Sequence, residues 1–132
     1  MEITPDFQFI LSNINKHIQL NEKEQQYFFT LLKSVKAAKR ELLLRQSEKC
    51  DKIYFVNRGL LSSYSIGKDG KEATVMFAFQ DWWITDMYCF IKKRPALTNI
   101  QAMENSEVLS LSKHDLDQLY GTIPQFEKFF RI

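Results

Sequence analysis

Apolar residues in the first third of the chain recur at helical spacing. After a Thr4-Pro5 start, Phe7, Ile10, Leu11, Ile14 and Ile18 fall on one stripe, with His17 beside it. Asn21 followed by Glu24 has the form of a capping box, and Phe28, Leu31, Leu32 and Val35 then repeat the helical pattern. Two helices are therefore expected over residues 1–34.

From Val35 onward the texture changes to short runs of period two or continuous apolarity. They are broken at Arg40-Glu41, at Ser47 to Asp51, at Arg58-Gly59 and at Gly67-Lys68-Asp69-Gly70. The runs "LLSSYSI" and "EATVMFAFQ" around "GKDG" predict a hairpin in which Ala73, Val75, Phe77 and Phe79 face one way and Thr74, Met76 and Ala78 the other. "NIQAM" and "EVLSLS" read as two further strands around Glu104-Asn105-Ser106. Ser112 and Asp115 cap a helix through Leu116 and Leu119 that stops near Gly121. A last apolar helix then carries Ile123, Phe126, Phe129 and Phe130 to the end at Ile132. Exposed aromatics on that last helix would imply a partner or a missing continuation.

Six to eight short strands with connections too short for crossover helices exclude a parallel sheet. The fold class expected is mainly β with flanking helices: an antiparallel double-stranded β-helix or jelly-roll barrel. At 132 residues the chain is expected to form one domain, with N-terminal helices over 1–34, the barrel over 35–112 and C-terminal helices over 113–132.

Composition narrows the function classes. Lys and Arg number 18 against 16 Asp and Glu, so any charged partner has to be met locally rather than by a global field. An apolar content of 45%, with 14% aromatic residues, supplies a packed interior. No apolar run approaches the roughly 20 residues of a membrane span, and the N-terminus lacks the pattern of a signal peptide. A cytoplasmic protein with no membrane contact is expected. Cys50 and Cys89 form no CxxC pair and read as buried or free thiols. Small barrels include metal enzymes that need two histidines close together on a strand. Here only His17 and His114 occur, both in helical contexts, and no GxSxG, P-loop or HExxH is present. Neither an enzyme nor a metal site is expected.

The chemistry concentrates in "QDWWITDMYCFIKKRPALTNIQAM", which contains no glycine. Trp82 and Trp83 could stack on a ligand ring, but adjacent strand residues point to opposite faces, so one is expected in the barrel and the other on a flanking helix. Lys92-Lys93-Arg94 could receive a phosphate or form a solvated loop face. Met87, Phe90 and Ile91 can share one face of a short helix, as core or as a hydrophobic effector pocket. A redox role for Cys89 would need nearby exposed cations to depress its pKa.

With that order in view, "KCDKIYFVNRGLLSSYSIGKDGKEATVMFAFQDWWITDMYCF" resembles the cyclic-nucleotide-binding-domain superfamily, specifically the effector domain of bacterial Crp/Fnr-type transcription regulators. Ile53 to Gly59 look like its strand and glycine turn, Leu60 to Phe79 like its central hairpin, and "SEVLSLSKHDL" like the strand and helix entry that close the barrel. The resemblance runs from about Leu20 to Ile132. It implies a phosphate-binding cassette over 84–98. In the family, a Gly-Glu pair at a short helix start offers backbone N–H groups to the phosphate and a carboxylate to the ribose, and a downstream Arg neutralises the phosphate. The Gly-Glu pair falls on Thr85 and Asp86, the Arg on Ala96, and the Ser or Thr after it on Leu97 or Thr98. Losing that Arg leaves the anion without its counter-charge, a cost of several kcal/mol in buried pairs. Only a shifted register would let Arg94 replace it.

The resemblance thus implies an effector-sensing regulatory domain with a degenerate cassette. Its candidate ligand residues are Thr85, Asp86, Met87, Phe90, Arg94, Ala96, Leu97 and Thr98, and its effector would be a cyclic nucleotide or another small molecule. It also implies a homodimer through a C-terminal signal helix bearing Phe126, Phe129 and Phe130. DNA would be contacted only through a helix-turn-helix domain that these residues do not include. The alternative is a dimerising scaffold domain with no small ligand.

Overall fold

The computed structural model describes residues 5–130, with side chains from Phe7 onward, so the expected helix start at Thr4 and the chain end at Ile132 lie outside the described residues. Helix α1 spans Pro5–Asn15 and buries Ile10 and Ile14 completely. Ile18 is buried just past the helix end, in a turn held by bonds from the His17 and Ile18 amides to the Ile14 carbonyl. Helix α2 spans Glu22–Leu31 behind the expected capping box. Asn21 Oδ1 accepts from the Glu24 amide at 2.8 Å, and Glu24 Oε1 accepts from the Asn21 amide at 2.9 Å.

The apolar series read into the second helix continues to Val35, but the helix does not. Leu32 is an extended C-cap, and β1 begins at Lys33 (Lys33–Ala37). Pairing with a distant strand outweighs the local period there, since Val35 lies opposite Val108 in a five-residue antiparallel ladder.

The remaining strands are β2 (Leu42–Leu44), β3 (Lys52–Arg58), β4 (Leu61–Ile66), β5 (Glu72–Ala78), β6 (Trp83–Ile84), β7 (Asn99–Ala102) and β8 (Ser106–Ser112). A short helix α3 (Met87–Lys92) separates β6 from β7, and α4 (Lys113–Thr122) and α5 (Gln125–Phe129) follow β8. Among the described residues the strands form two four-stranded antiparallel sheets, ordered β1-β8-β3-β6 and β2-β7-β4-β5. Successive strands change sheet at every connection except β4 to β5, which is the jelly-roll winding. Only β4 and β5 form the expected hairpin.

Strand β3 is buried from Ile53 to Asn57, because one face lines the barrel and the other lies under α1. Edge strand β5 is the opposite case: Val75 and Phe77 stay exposed while Ala78 is buried. Between β3 and β4, Gly59 has φ +102°, and a Cβ there would come within 2.8 Å of Ser106 Cα, so this turn requires glycine.

Two expectations about aromatic residues are corrected. Trp82 is not in a strand. It follows Asp81, which has φ +77°, and it stands 47% exposed with its ring 5.4 Å from that of Phe79. Trp83 begins β6 and turns toward the helices. Its Nε1 donates to Asn13 Oδ1 of α1 at 2.9 Å, and its ring meets those of Phe55 at 5.1 Å and Phe130 at 5.0 Å. Neither Trp enters the barrel, because a turn breaks the alternation between them. Nor does α5 present its aromatics to solvent. Phe126 is fully buried, 4.8 Å from the ring of Phe28, and Phe129 and Phe130 are half-buried around Trp83. The hydrophobic core of the same molecule absorbs them.

Candidate functional site

The segment from Ile84 to Thr98 is built around α3. Thr85 is pinned before the helix, its hydroxyl donating to the Lys52 carbonyl at 2.7 Å. Cys50 Sγ lies 3.6 Å from that hydroxyl and 3.5 Å from the Asp86 carbonyl, so the 50–52 loop holds the helix entry from outside. Asp86 is the N-cap by position, and its carbonyl accepts from the Phe90 amide at 2.8 Å. Its side chain caps nothing in its own helix.

That carboxylate instead reaches across the segment. Asp86 Oδ2 accepts from the Leu97 amide at 2.8 Å, the Thr98 amide at 3.1 Å and the Thr98 hydroxyl at 3.2 Å. Three convergent donors on one oxygen make an anion-holding nest, and the anion already in it is the protein's own.

Within α3, Cys89 and Phe90 are buried, Met87 is half-buried, and Tyr88 and Ile91 are exposed. The shared face expected of Met87, Phe90 and Ile91 does not form, because Ile91 at 51% exposure lies on the solvent side of a helix under two turns long. After α3, Lys93 takes a left-handed conformation at φ 56°, and the Arg94 amide donates to the Cys89 carbonyl at 2.9 Å. Ala96 is buried and tied at both backbone groups. Its amide donates to the Glu48 carbonyl and its carbonyl accepts from the Ser47 amide, each at 2.8 Å.

Of the candidate residues, Thr85, Asp86, Leu97 and Thr98 are thus brought into one bonded cluster. Met87, Phe90 and Ala96 pack around it. Arg94 is exposed, in the wall of a separate cavity with Lys49 and Lys93. The part played by Ser47, Glu48, Cys50 and Lys52 was not read from the sequence, because backbone bonds across more than 30 residues leave no mark on side-chain pattern. A buried cysteine within a polar loop was the available signal.

Burial pushes the Cys50 and Cys89 thiols above their ordinary pKa; for Cys50 the bonds to Thr85 and Asp86 act in the lowering direction but do not prevail. Neither is a reactive thiolate. His17 and His114 are exposed and far apart in the chain. Among the described residues, no group of three or more His, Cys, Asp or Glu is placed to hold a metal ion, and no helix is long and apolar enough to cross a membrane.

The family model of the cyclic nucleotide-binding domain matches residues 34–122. The chain belongs to that family. No curated protein matches the sequence. Solved structures share the fold at low identity. A cyclic nucleotide-binding domain from Methylobacillus flagellatus KT superposes with a TM-score of 0.77 at 19% identity, over 90% of this chain and 68% of that one. The sensor domain of the transcriptional regulator DNR from Pseudomonas aeruginosa gives 0.77 at 18%, over 93% and 82%. The Catabolite Activator Protein of Thermus thermophilus gives 0.71 at 16%, and the match spans 92% of this chain but only 52% of that longer protein. This cyclic nucleotide-binding domain therefore carries the fold of regulator sensor domains, with a 84–98 segment closed by its own Asp86.

Proposed function

We propose that the chain is the effector-sensing regulatory domain of a Crp/Fnr-like transcription regulator, and that its cassette does not take cyclic AMP or cyclic GMP in the usual manner. The observation that carries this reading is the Asp86 carboxylate on the Leu97 and Thr98 donors. Those positions follow the place where the family resemblance puts the phosphate-pairing Arg, here the buried Ala96. A cyclic nucleotide would have to displace an internal anion and then sit in the pocket without a guanidinium partner. Both steps oppose binding.

The output of such a sensor would pass through Trp83. It lies two residues before Thr85 and packs on Phe129 and Phe130, so a change in the cassette would reach the C-terminal aromatics with few intermediates. A cytoplasmic homodimer through that end of the molecule, with DNA contacted by a helix-turn-helix outside this chain, is the assembly proposed. The domain itself catalyses nothing in this reading.

A second reading is a dimerising scaffold with no small ligand. It is favoured by exposed Val75 and Phe77 on edge strand β5, with exposed Phe79 and Trp82 just beyond its end. Calorimetry with cyclic AMP, cyclic GMP and a pooled metabolite extract separates the two. Heat from the pool and none from either cyclic nucleotide is expected. Tight cyclic-nucleotide binding that Arg94→Ala abolishes would overturn the closed-cassette reading in favour of a shifted phosphate site. No heat from any of them would favour the scaffold.

A further inference from the structure

A cavity of about 560 Å³ opens on the outer side of the cassette, between the C-terminal end of α3, the 49–51 loop and the start of α4. That volume lies within the roughly 300–1,000 Å³ of small-molecule sites. Four cationic side chains line it, Lys49, Lys93, Arg94 and Lys113, against the carboxylates of Asp51 and Asp117. One cation and one carboxylate cancel, since Lys113 Nζ pairs with Asp117 Oδ1 at 2.7 Å. Lys49, Lys93 and Arg94 form no ion pair among the described residues. Set against Asp51, they leave two positive charges without a counter-charge.

The walls are fixed rather than incidental. The strands of chain that carry Lys49 and Arg94 are bonded to each other through Ser47, Glu48 and Ala96, and a β-bridge joins Lys49 to Pro95. The third wall is tied on by the Lys113 amide, which donates to the Asp51 carbonyl at 2.8 Å. The left-handed turn at Lys93 sets the direction in which Lys93 and Arg94 leave α3. The floor is apolar, with buried Phe90 and Cys50 beside Pro95.

We infer that this cavity binds a small phosphomonoester: a dianion that matches the two uncompensated charges, on an organic body that covers the Phe90 and Pro95 floor. Lys49, Lys93 and Arg94 hold the phosphate as charge-assisted donors, and the floor selects against bare inorganic phosphate. The site is separate from the Asp86 nest and does not depend on the regulatory reading. Its ligand would nonetheless grip the chain at Arg94 and Pro95, just ahead of the Leu97 and Thr98 amides that hold Asp86.

The test is a titration of the whole chain, followed by amide NMR, with phenyl phosphate, inorganic phosphate and cyclic AMP, a phosphodiester monoanion. Phenyl phosphate is expected to saturate, to shift amides around Lys49, Lys93, Arg94 and Lys113, and to weaken as salt rises. Inorganic phosphate and cyclic AMP are expected to bind more weakly. Arg94→Ala and Lys49→Ala should each lower the phenyl phosphate affinity by roughly tenfold. Both residues are exposed, so melting temperatures without ligand should match the parent, and Lys68→Ala on the hairpin turn should change nothing. Absence of saturable binding, undiminished binding by the two variants, or shifts confined to other surfaces would overturn the site. So would co-sedimentation with phosphatidic acid vesicles without phenyl phosphate binding, because the cation cluster would then serve a lipid surface and not a small ligand.

Discussion

Asp86 shows how one residue can decide the chemistry of a segment. A carboxylate at that position is what the family resemblance leads one to expect, yet its oxygen is spent on Leu97 and Thr98. Asp86→Ala removes the acceptor from two amides and a hydroxyl, and is expected to cost about 1–3 kcal/mol in chemical denaturation. Hydrogen exchange at the Leu97 and Thr98 amides should rise more than the global loss accounts for; equal rises across the barrel would mean that the bonds do not hold the segment locally. Gly59 is the second decisive residue. With φ +102° and Ser106 packed against it, Gly59→Ala should destabilise by about 2–4 kcal/mol, combining backbone strain with overpacking. A melting temperature within a degree or two of the parent would contradict this account.

At the scale of elements, what was legible depended on whether local signals acted alone. Asn21 with Glu24, and Ser112 with the Asp115 amide at 3.0 Å, form the caps read from the sequence, since a cap is satisfied within one turn. Asn21→Ala is accordingly expected to cost about 1 kcal/mol, read from urea unfolding, and a Ser replacement should recover most of it. The hairpin around Gly67 to Gly70 was equally local. Where a distant element competed, local pattern lost. The series from Phe28 to Val35 is divided by pairing with β8, and the Trp82-Trp83 alternation is broken by the Asp81 turn, which Asn13 of α1 holds through bonds of 2.9 and 3.1 Å. The order of strands on either side of the 84–98 segment was legible from the order of runs. The bonds across it were not, because Asp86 and Thr98 meet only once α3 and its left-handed stop fold the chain back.

For the molecule as a whole, the titration shifts among the described residues point the same way. Burial raises Cys50, Cys89 and Tyr120, and it pushes Tyr54 up to about 12 from 10.0, where its hydroxyl donates to the Leu43 carbonyl at 3.2 Å. A native pKa above the unfolded one gives stability that is complete below the unfolded value and is lost as pH rises through the native value. Alkaline destabilisation is therefore expected, with the Tyr54 share developing between pH 10 and about 12. That share is about 2–3 kcal/mol at full extent. Urea midpoints for the parent and Tyr54→Phe should converge with rising pH in this window, and parallel curves would show that Tyr54 plays no part.

The amino-acid sequence by itself determined the locally capped helices, the β4–β5 hairpin, the antiparallel class and the location of the chemically unusual segment. Helical and strand periods, caps and turn residues act within a few positions, so they can be read in one dimension. Only the tertiary structure decided that the C-terminal phenylalanines belong to the core, that Asp86 is occupied from within, and that Arg94 joins Lys49 and Lys93 outside the barrel. Each of these outcomes turns on which distant groups arrive at hydrogen-bonding or packing distance. Local spacing carries no record of that.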